Sequence, residues 1–311
     1  MTISGYHKKP RESRKNGVRS GFLPSLKILT YRHQESKVPY IMETCVAGRT
    51  KEISKRYSAR FGKKSISRSP NANPTPEAVR RVNERGAIAK LRRLINANYG
   101  FQDIHLVLTY RRDNRPASPA AAKKDLEKFL RRLRMYHQKA GTVLKYIAVT
   151  EYKKAAIHHH LIINSMDTRI LTELWEHGQP RPVYLDNTGN YAGLAEYLVK
   201  ETRETYRERE GACQKRWSCS KNLAKPIIRK SIVRADSWRQ EPKAPPDYYI
   251  EKASIESGYH EITGYGYQFY RLIKIEPGGG ERMRLVGSAI KRYIAQSAGA
   301  GTREILQPAF I

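Results

Sequence analysis

Between residues 75 and 204 the apolar positions recur with two periods, about 3.6 residues and two residues, which predict helices and strands of a folded core. Thr75 as cap, Pro76 in the first turn and Glu77 open a helix to about Asn98, with an apolar stripe at Val79, Val82, Ile88, Leu91, Leu94 and Ile95 and arginines on the other side. Ile104–Tyr110 (IHLVLTY) is rich in branched residues and reads as a strand. Ser118-Pro119 starts a helix through Leu126, Phe129, Leu130 and Leu133 that closes near Gly141. Leu144–Glu151 and Ile157–Asn164 (IHHHLIIN) are two more strands, and the short connection between them predicts an antiparallel hairpin. Asp167 or Thr168 caps a helix through Ile170, Leu171, Leu174 and Trp175, stopped by Gly178; after a loop, Tyr191 to about Glu204 forms another.

Outside this stretch the pattern is thinner. Residues 1–37 read as a basic arm and 38–46 (VPYIMETCV) as a strand. Lys51–Pro70 is a basic run interleaved with Tyr57 and Phe61, a mixture that can hold phosphates and stack bases. Tyr265–Ile275 alternates like a strand before a Pro-Gly-Gly-Gly break. The order of elements implies an α+β fold, a central antiparallel sheet backed by helices. The expected division is a basic N-terminal segment over 1–74, a core over 75–225, and a C-terminal extension over 226–311.

Charge then narrows the function. The 311 residues carry 59 Lys and Arg against 29 Asp and Glu, a net of +30, which favours a polyanion and above all nucleic acid. Residues 1–100 are the most basic third, with 23 Lys and Arg against 6 acids, and Lys55, Arg56, Arg60, Lys63, Lys64 and Arg68 are candidate DNA contacts. Arg131, Arg132 and Arg134 read as a solvated helix face, with DNA contact as the second option. No apolar run approaches a membrane span and no hydrophobic leader is seen, so a cytoplasmic protein is expected. Cys45, Cys213 and Cys219 form no even framework, in keeping with a reducing compartment, and the last two have the wrong spacing for a zinc knuckle. Gly62-Lys63-Lys64-Ser65 lacks the upstream glycine of a phosphate-cradling loop, so unwinding of DNA would need a partner.

The strand Ile157–Asn164 carries the chemistry. Alternation puts His158 and His160 on one face and His159 on the other. Two imidazoles on one strand face can share a divalent ion, and Glu151 at the end of the neighbouring strand can add a carboxylate. Two nitrogens and one oxygen leave positions open, unlike a closed structural zinc site. A slip of one residue would present His159 instead, leaving open which pair faces the ion. On the last helix, Tyr197 and Lys200 share a face, where nearby positive charge favours a phenolate. Tyr191 lies about 240° around that helix from Tyr197 and reads as a cap or packing residue; His105 packs or faces the site without ligating.

Leu106-Val-Leu-Thr-Tyr110, then Thr150-Glu-Tyr152 with Ile157-His-His-His-Leu-Ile-Ile163, then Glu196-Tyr-Leu-Val-Lys200, stand in the order of the three rolling-circle initiator motifs. With Trp217-Ser-Cys-Ser-Lys-Asn-Leu223, the chain over about 75–225 resembles the HUH endonucleases of the filamentous-phage gene II and spiroplasma-phage replication-associated type. The resemblance implies an RRM-like nuclease sheet and a replication initiator that nicks and rejoins single-stranded origin DNA of a phage or plasmid through a 5′-phosphotyrosyl intermediate. It implies Glu151, His158 and His160 as ligands of Mg²⁺ or Mn²⁺, Tyr197 as the nucleophile and Lys200 as its electrostatic helper. A host helicase and polymerase are the expected partners. A mobilisation relaxase or single-tyrosine transposase would use the same chemistry, and a non-catalytic nucleic-acid-binding protein is the alternative from another class. The family usually has an apolar residue where His159 stands.

Overall fold

The computed structural model describes residues 40–58, 76–152, 156–207, 215–233, 238–260 and 264–275. The described elements begin with β1 (Tyr40–Ala47), β2 (Thr50–Tyr57), α1 (Pro76–Asn98) and β3 (Ile104–Thr109). Next come α2 (Pro119–Lys139), β4 (Tyr146–Glu151), β5 (His158–Ile163), α3 (Arg169–Leu174), β6 (Pro180–Tyr184), α4 (Ala192–Glu201) and α5 (Arg203–Arg207). They continue with β7 (Ser218–Cys219), β8 (Ile227–Val233), β9 (Tyr248–Ile250), β10 (Glu256–Tyr259) and β11 (Gly266–Lys274). The fold is α+β with antiparallel sheets backed by helices, as the element order implies, but there are two sheets among the described residues.

The first sheet has the order β6-β3-β5-β4-β7. Its centre is a run of branched and aliphatic residues, so both faces can be buried. One face packs Ile104, Leu106, Leu108, Leu161 and Ile163 against Leu126, Phe129, Leu130 and Leu133 of α2 and against Trp175. The α2 residues recur at helical spacing, and the hydroxyl of Ser118 accepts from Ala121 N to cap that helix. The other face packs Ile147, Val149 and Ile162 against Leu91 and Ile95 of α1 and Ala195, Leu198 and Val199 of α4.

The second sheet has the order β10-β11-β2-β1-β8, with β9 also paired to β11. The basic run after residue 50 thus begins as a central strand. Its burial rests on charge pairing: Glu52, 2% exposed, accepts from Arg92 Nε and Arg93 Nε, each at 2.6 Å. Helix α1 therefore lies between the sheets, with leucine and isoleucine toward the first and arginines toward the second. The expected apolar stripe holds only in its C-terminal half, since Val79 and Val82 are exposed.

Asn96 joins three elements. Its Nδ2 donates to Thr50 Oγ1 and its Oδ1 accepts from Tyr191 N at the start of α4. The β1–β2 turn presses against the same point, and Gly48 has φ +56° with an added Cβ only 2.0 Å from Asn96 O. Any side chain there would strain both the turn and the helix contact.

Three elements differ from the sequence reading. The loop after Gly178 contains β6, an edge strand that tolerates Pro180 and Pro182 because an edge leaves amide positions unpaired. Gly178 does not end α3, which stops at Leu174; its Cα approaches the β3 backbone, where a Cβ would lie 2.0 Å from Thr109 O. The last expected helix divides at Thr202, whose hydroxyl donates to Leu198 O, into α4 and α5. Among the described residues no helix is long and apolar enough to cross a membrane.

Candidate active site

Strand register fixes which side chains meet. Glu151 of β4 lies opposite His158 of β5, and His160 lies opposite Val149 and, on β3, Val107. Facing residues of an antiparallel pair share a side, so Glu151, His158 and His160 all belong to the α1–α4 face. His159 belongs to the α2 face, where it is fully buried beside Trp175. Its Nε2 pairs with the Tyr110 hydroxyl and its Nδ1 with the Thr150 hydroxyl, both at 2.9 Å. With both nitrogens engaged, and with burial, then His158 and His177, pulling its pKa down to about 3, His159 is a neutral structural residue. Replacing it with Phe should cost about 1–3 kcal/mol by removing one partner of the buried Tyr110 hydroxyl and of the half-buried Thr150 hydroxyl. A melting curve should register that loss.

The other two histidines face each other. His158 Nε2 and His160 Nε2 are 3.0 Å apart, and His160 Nδ1 is 3.3 Å from His105 Nε2. His158 donates Nδ1–H to Ala156 O, which leaves its Nε2 lone pair toward His160. Burial first, and then the neighbouring imidazoles, holds His160 well below its ordinary pKa, and burial takes His105 down to about 4. His105 and His160 are therefore neutral at neutral pH and carry lone pairs. The Nε2 atoms of His158 and His160 can both be acceptors if His160 carries its proton on Nδ1 and donates to His105.

Two nitrogens 3.0 Å apart match adjacent corners of an octahedron with bonds of about 2.1 Å. Glu151, fully buried, is the acid of the neighbouring strand, and its Oε2 accepts from Thr205 Oγ1 at 2.9 Å. Among the described residues no group of three His, Cys, Asp or Glu side chains is arranged to hold a metal ion. The donor chemistry fits a divalent cation in part. Two nitrogens are in place, while the carboxylate would have to turn from Thr205 to join them.

The tyrosine arrives from α4. Ala195, Leu198 and Val199 anchor that helix in the core, and half-buried Tyr197 lies against the histidines. Its ring stands perpendicular to His160 with centroids 5.4 Å apart, and 6.5 Å from His105. Tyr191 occupies the N-cap position, is buried, and donates its hydroxyl to Asp186 O at 2.8 Å. Burial, and then Asp186, pushes its phenol pKa well up, so it is a packing residue. Lys200 lies one turn beyond Tyr197, half-exposed, with Nζ 2.6 Å from Glu196 Oε1.

The basic candidates divide. Lys55 is half-buried in β2, donates to Gln268 Oε1 and lies over the rings of Trp238 and Tyr270, so its ammonium has protein partners. Arg56 is exposed on the opposite face, 3.7 Å from Glu43. Arg60, Lys63, Lys64 and Arg68 lie outside the described residues, as does Cys213. Arg131 and Arg134 are exposed on α2, and Arg132 pairs with Glu176. Within the stretch after α5, β7 pairs with β4, while Trp217 and Leu223 pack against the α1–α4 core. The sequence reading missed Thr205 and the contact of His105 with His160. Nothing in the spacing of Thr205 marks it, whereas His105 shares the two-residue alternation of its strand and could have been traced.

Comparison with known proteins agrees with the three motifs. A family model of replication-associated proteins, of the ORF2 and gene II protein type, matches residues 103–202, the stretch from the start of β3 to the end of α4. The resemblance to rolling-circle replication-associated proteins therefore holds over that stretch. No curated protein and no solved structure gives a significant match.

Proposed function

We propose that this replication-associated protein nicks and rejoins single-stranded origin DNA to start rolling-circle replication of a phage or plasmid. The observation that carries the reading is the ring of Tyr197, brought on its own helix against the face of the His158–His160 pair. His158 and His160 would hold Mg²⁺ or Mn²⁺, with Glu151 as third ligand. That ion would polarise the scissile phosphate and favour the phenolate.

The Tyr197 oxygen attacks phosphorus, the bond from phosphorus to the 3′ oxygen breaks, and the leaving oxygen takes a proton to become a free 3′-OH. The 5′ phosphate stays on Tyr197, and attack by a 3′-OH reverses the step without an external energy source. Lys200 supplies positive charge near the phosphate, and His105 fixes the ring of His160 through Nδ1. The freed 3′-OH serves a polymerase, and strand separation falls to a helicase partner. The direct test is incubation with single-stranded origin DNA and Mn²⁺, followed by a denaturing gel. A protein–DNA adduct supports the reading, and its absence across origin-spanning fragments overturns it.

The histidine roles separate in a second measurement. His105→Leu keeps the buried volume but removes the partner that orients His160, so the Mn²⁺ concentration for half-maximal cleavage should rise by about 10–100-fold. An unchanged metal requirement would exclude His105 from the site. A third measurement concerns the N-terminal charge. Residues 1–39 hold 9 Lys and Arg against 2 acids, and their removal leaves β1 and β2 in place. Affinity for single-stranded DNA should fall and its salt dependence should flatten; equal affinity and slope would refute a role for this segment.

A further inference from the structure

Beside α4 is a cleft of about 480 Å³, walled by the N-terminus of that helix, by α1, and by β11 with the 251–256 segment of the second sheet. We infer that this cleft receives one unstacked nucleotide of the DNA strand next to the cleaved phosphate, an assignment that rests on the nicking reading above.

The lining suits a base and its phosphate. Phe269 offers a half-buried ring, with the Arg92 guanidinium 5.8 Å from its centre, as a stacking surface beside Ile88. Glu256 at the exposed rim can accept from the amino group of a base. For the phosphate there is Arg85 at the rim. Arg271 backs the cleft in its depth, 6% exposed, with its charge balanced by Glu251 and Glu52. The other two acids of the lining are already bound, Glu251 to Arg271 and Glu196 to Lys200. The start of α4, a ten-residue helix, has no side-chain cap, so its amides and dipole also favour an anion. The volume lies within the common range of small-ligand sites.

Position links the cleft to the chemistry. Gly193 of the cleft and Tyr197 are four residues apart, about 6 Å along one side of α4. A strand that presents its phosphate to Tyr197 and runs along the helix brings a neighbouring nucleotide to the cleft. The cleft would then read a base flanking the nick and contribute to origin choice.

The test uses the full chain in EDTA, so that cleavage plays no part. The probe is a single-stranded 20-mer of random sequence with 4-thiothymidine in place of thymidine. A Cβ at Gly193 meets no atom within 4 Å, so Gly193→Phe fills the cleft from the helix side. Ala253→Trp closes it from the exposed opposite wall and serves if the first variant folds poorly. Loss of one stacked base predicts at least about fivefold weaker binding in either variant, and photo-crosslinks of the wild type on Phe269 or α1. Competition by free thymidine monophosphate would keep the nucleotide assignment and place its source in solution; no competition would place it in the strand. Wild-type affinity in both variants, with crosslinks confined to other elements, overturns the inference. A covalent adduct with unchanged variants leaves the nickase without this subsite, and weakened variants without an adduct leave the subsite without the nickase.

Discussion

Tyr197→Phe should abolish covalent attachment to origin DNA, a loss of at least about 10³-fold in nicking, while leaving the protein folded. The ring is the part of Tyr197 that meets His160 and His105, and Phe keeps that ring. Only the hydroxyl is removed, and no other group on α4 replaces it. The attached fragment is the one 3′ of the nick, so DNA labelled at its 3′ end should shift with the protein and DNA labelled at its 5′ end should not. Tyr191→Phe is the informative control. It leaves Asp186 O without its donor at a cost of about 1–2 kcal/mol, yet adduct formation should persist. An adduct that survives in Tyr197→Phe would move the nucleophile elsewhere and dissolve the proposed mechanism.

The second large effect is on stability. Glu52→Ala should cost about 3–5 kcal/mol, because it leaves the buried Arg92 guanidinium without its counter-charge. Arg92 is 8% exposed and Arg271 6%, and both lie within ion-pair distance of Glu52, with Arg93 on its second oxygen. Burial alone would raise the Glu52 pKa, but the hydrogen bonds and charges of Arg92 and Arg93 outweigh it and hold the carboxyl below its ordinary 4.5. A depressed folded pKa means that this stabilisation is present above pH 4.5 and is lost as pH falls through the lower folded value. Thermal melts should show a large drop in Tm for the variant at neutral pH and a smaller gap in acid. A neutral-pH melt equal to wild type would show that α1 is held on the second sheet by other contacts.

The legible parts of this protein were those where apolar burial sets the structure. The strands around His105, Val149 and Leu161 announce themselves by branched residues, and Ser118-Pro119 marks the start of α2 by capping chemistry. The illegible parts depend on partners distant in the chain. In TKEISKRY, the residues of β2, Glu52 is buried only because two arginines forty residues later fold over it, and a polar octet gives no strand pattern without them. The prolines of β6 disguise an edge strand, since the missing amide hydrogens cost little at the margin of a sheet. Within the site, alternation alone put His158 and His160 on one face and His159 on the other. It did not say what His159 does there, because Tyr110 and Thr150 flank it on β3's far end and on β4. Thr205 reaches Glu151 only after the break at Thr202 turns the chain into α5.

Asn96 has a consequence for how far the chain can be trimmed. One carboxamide ties the first amide of the tyrosine-bearing helix to the β1–β2 hairpin, and Leu91 and Ile95 form the bed on which that helix rests. A fragment cut to residues 103–202 would retain the histidines, the acid and the tyrosine while discarding the bed and the tether. The phenol would then swing relative to the imidazoles, so a minimal piece that keeps this arrangement has to extend back at least through α1 and carry the hairpin that clasps it.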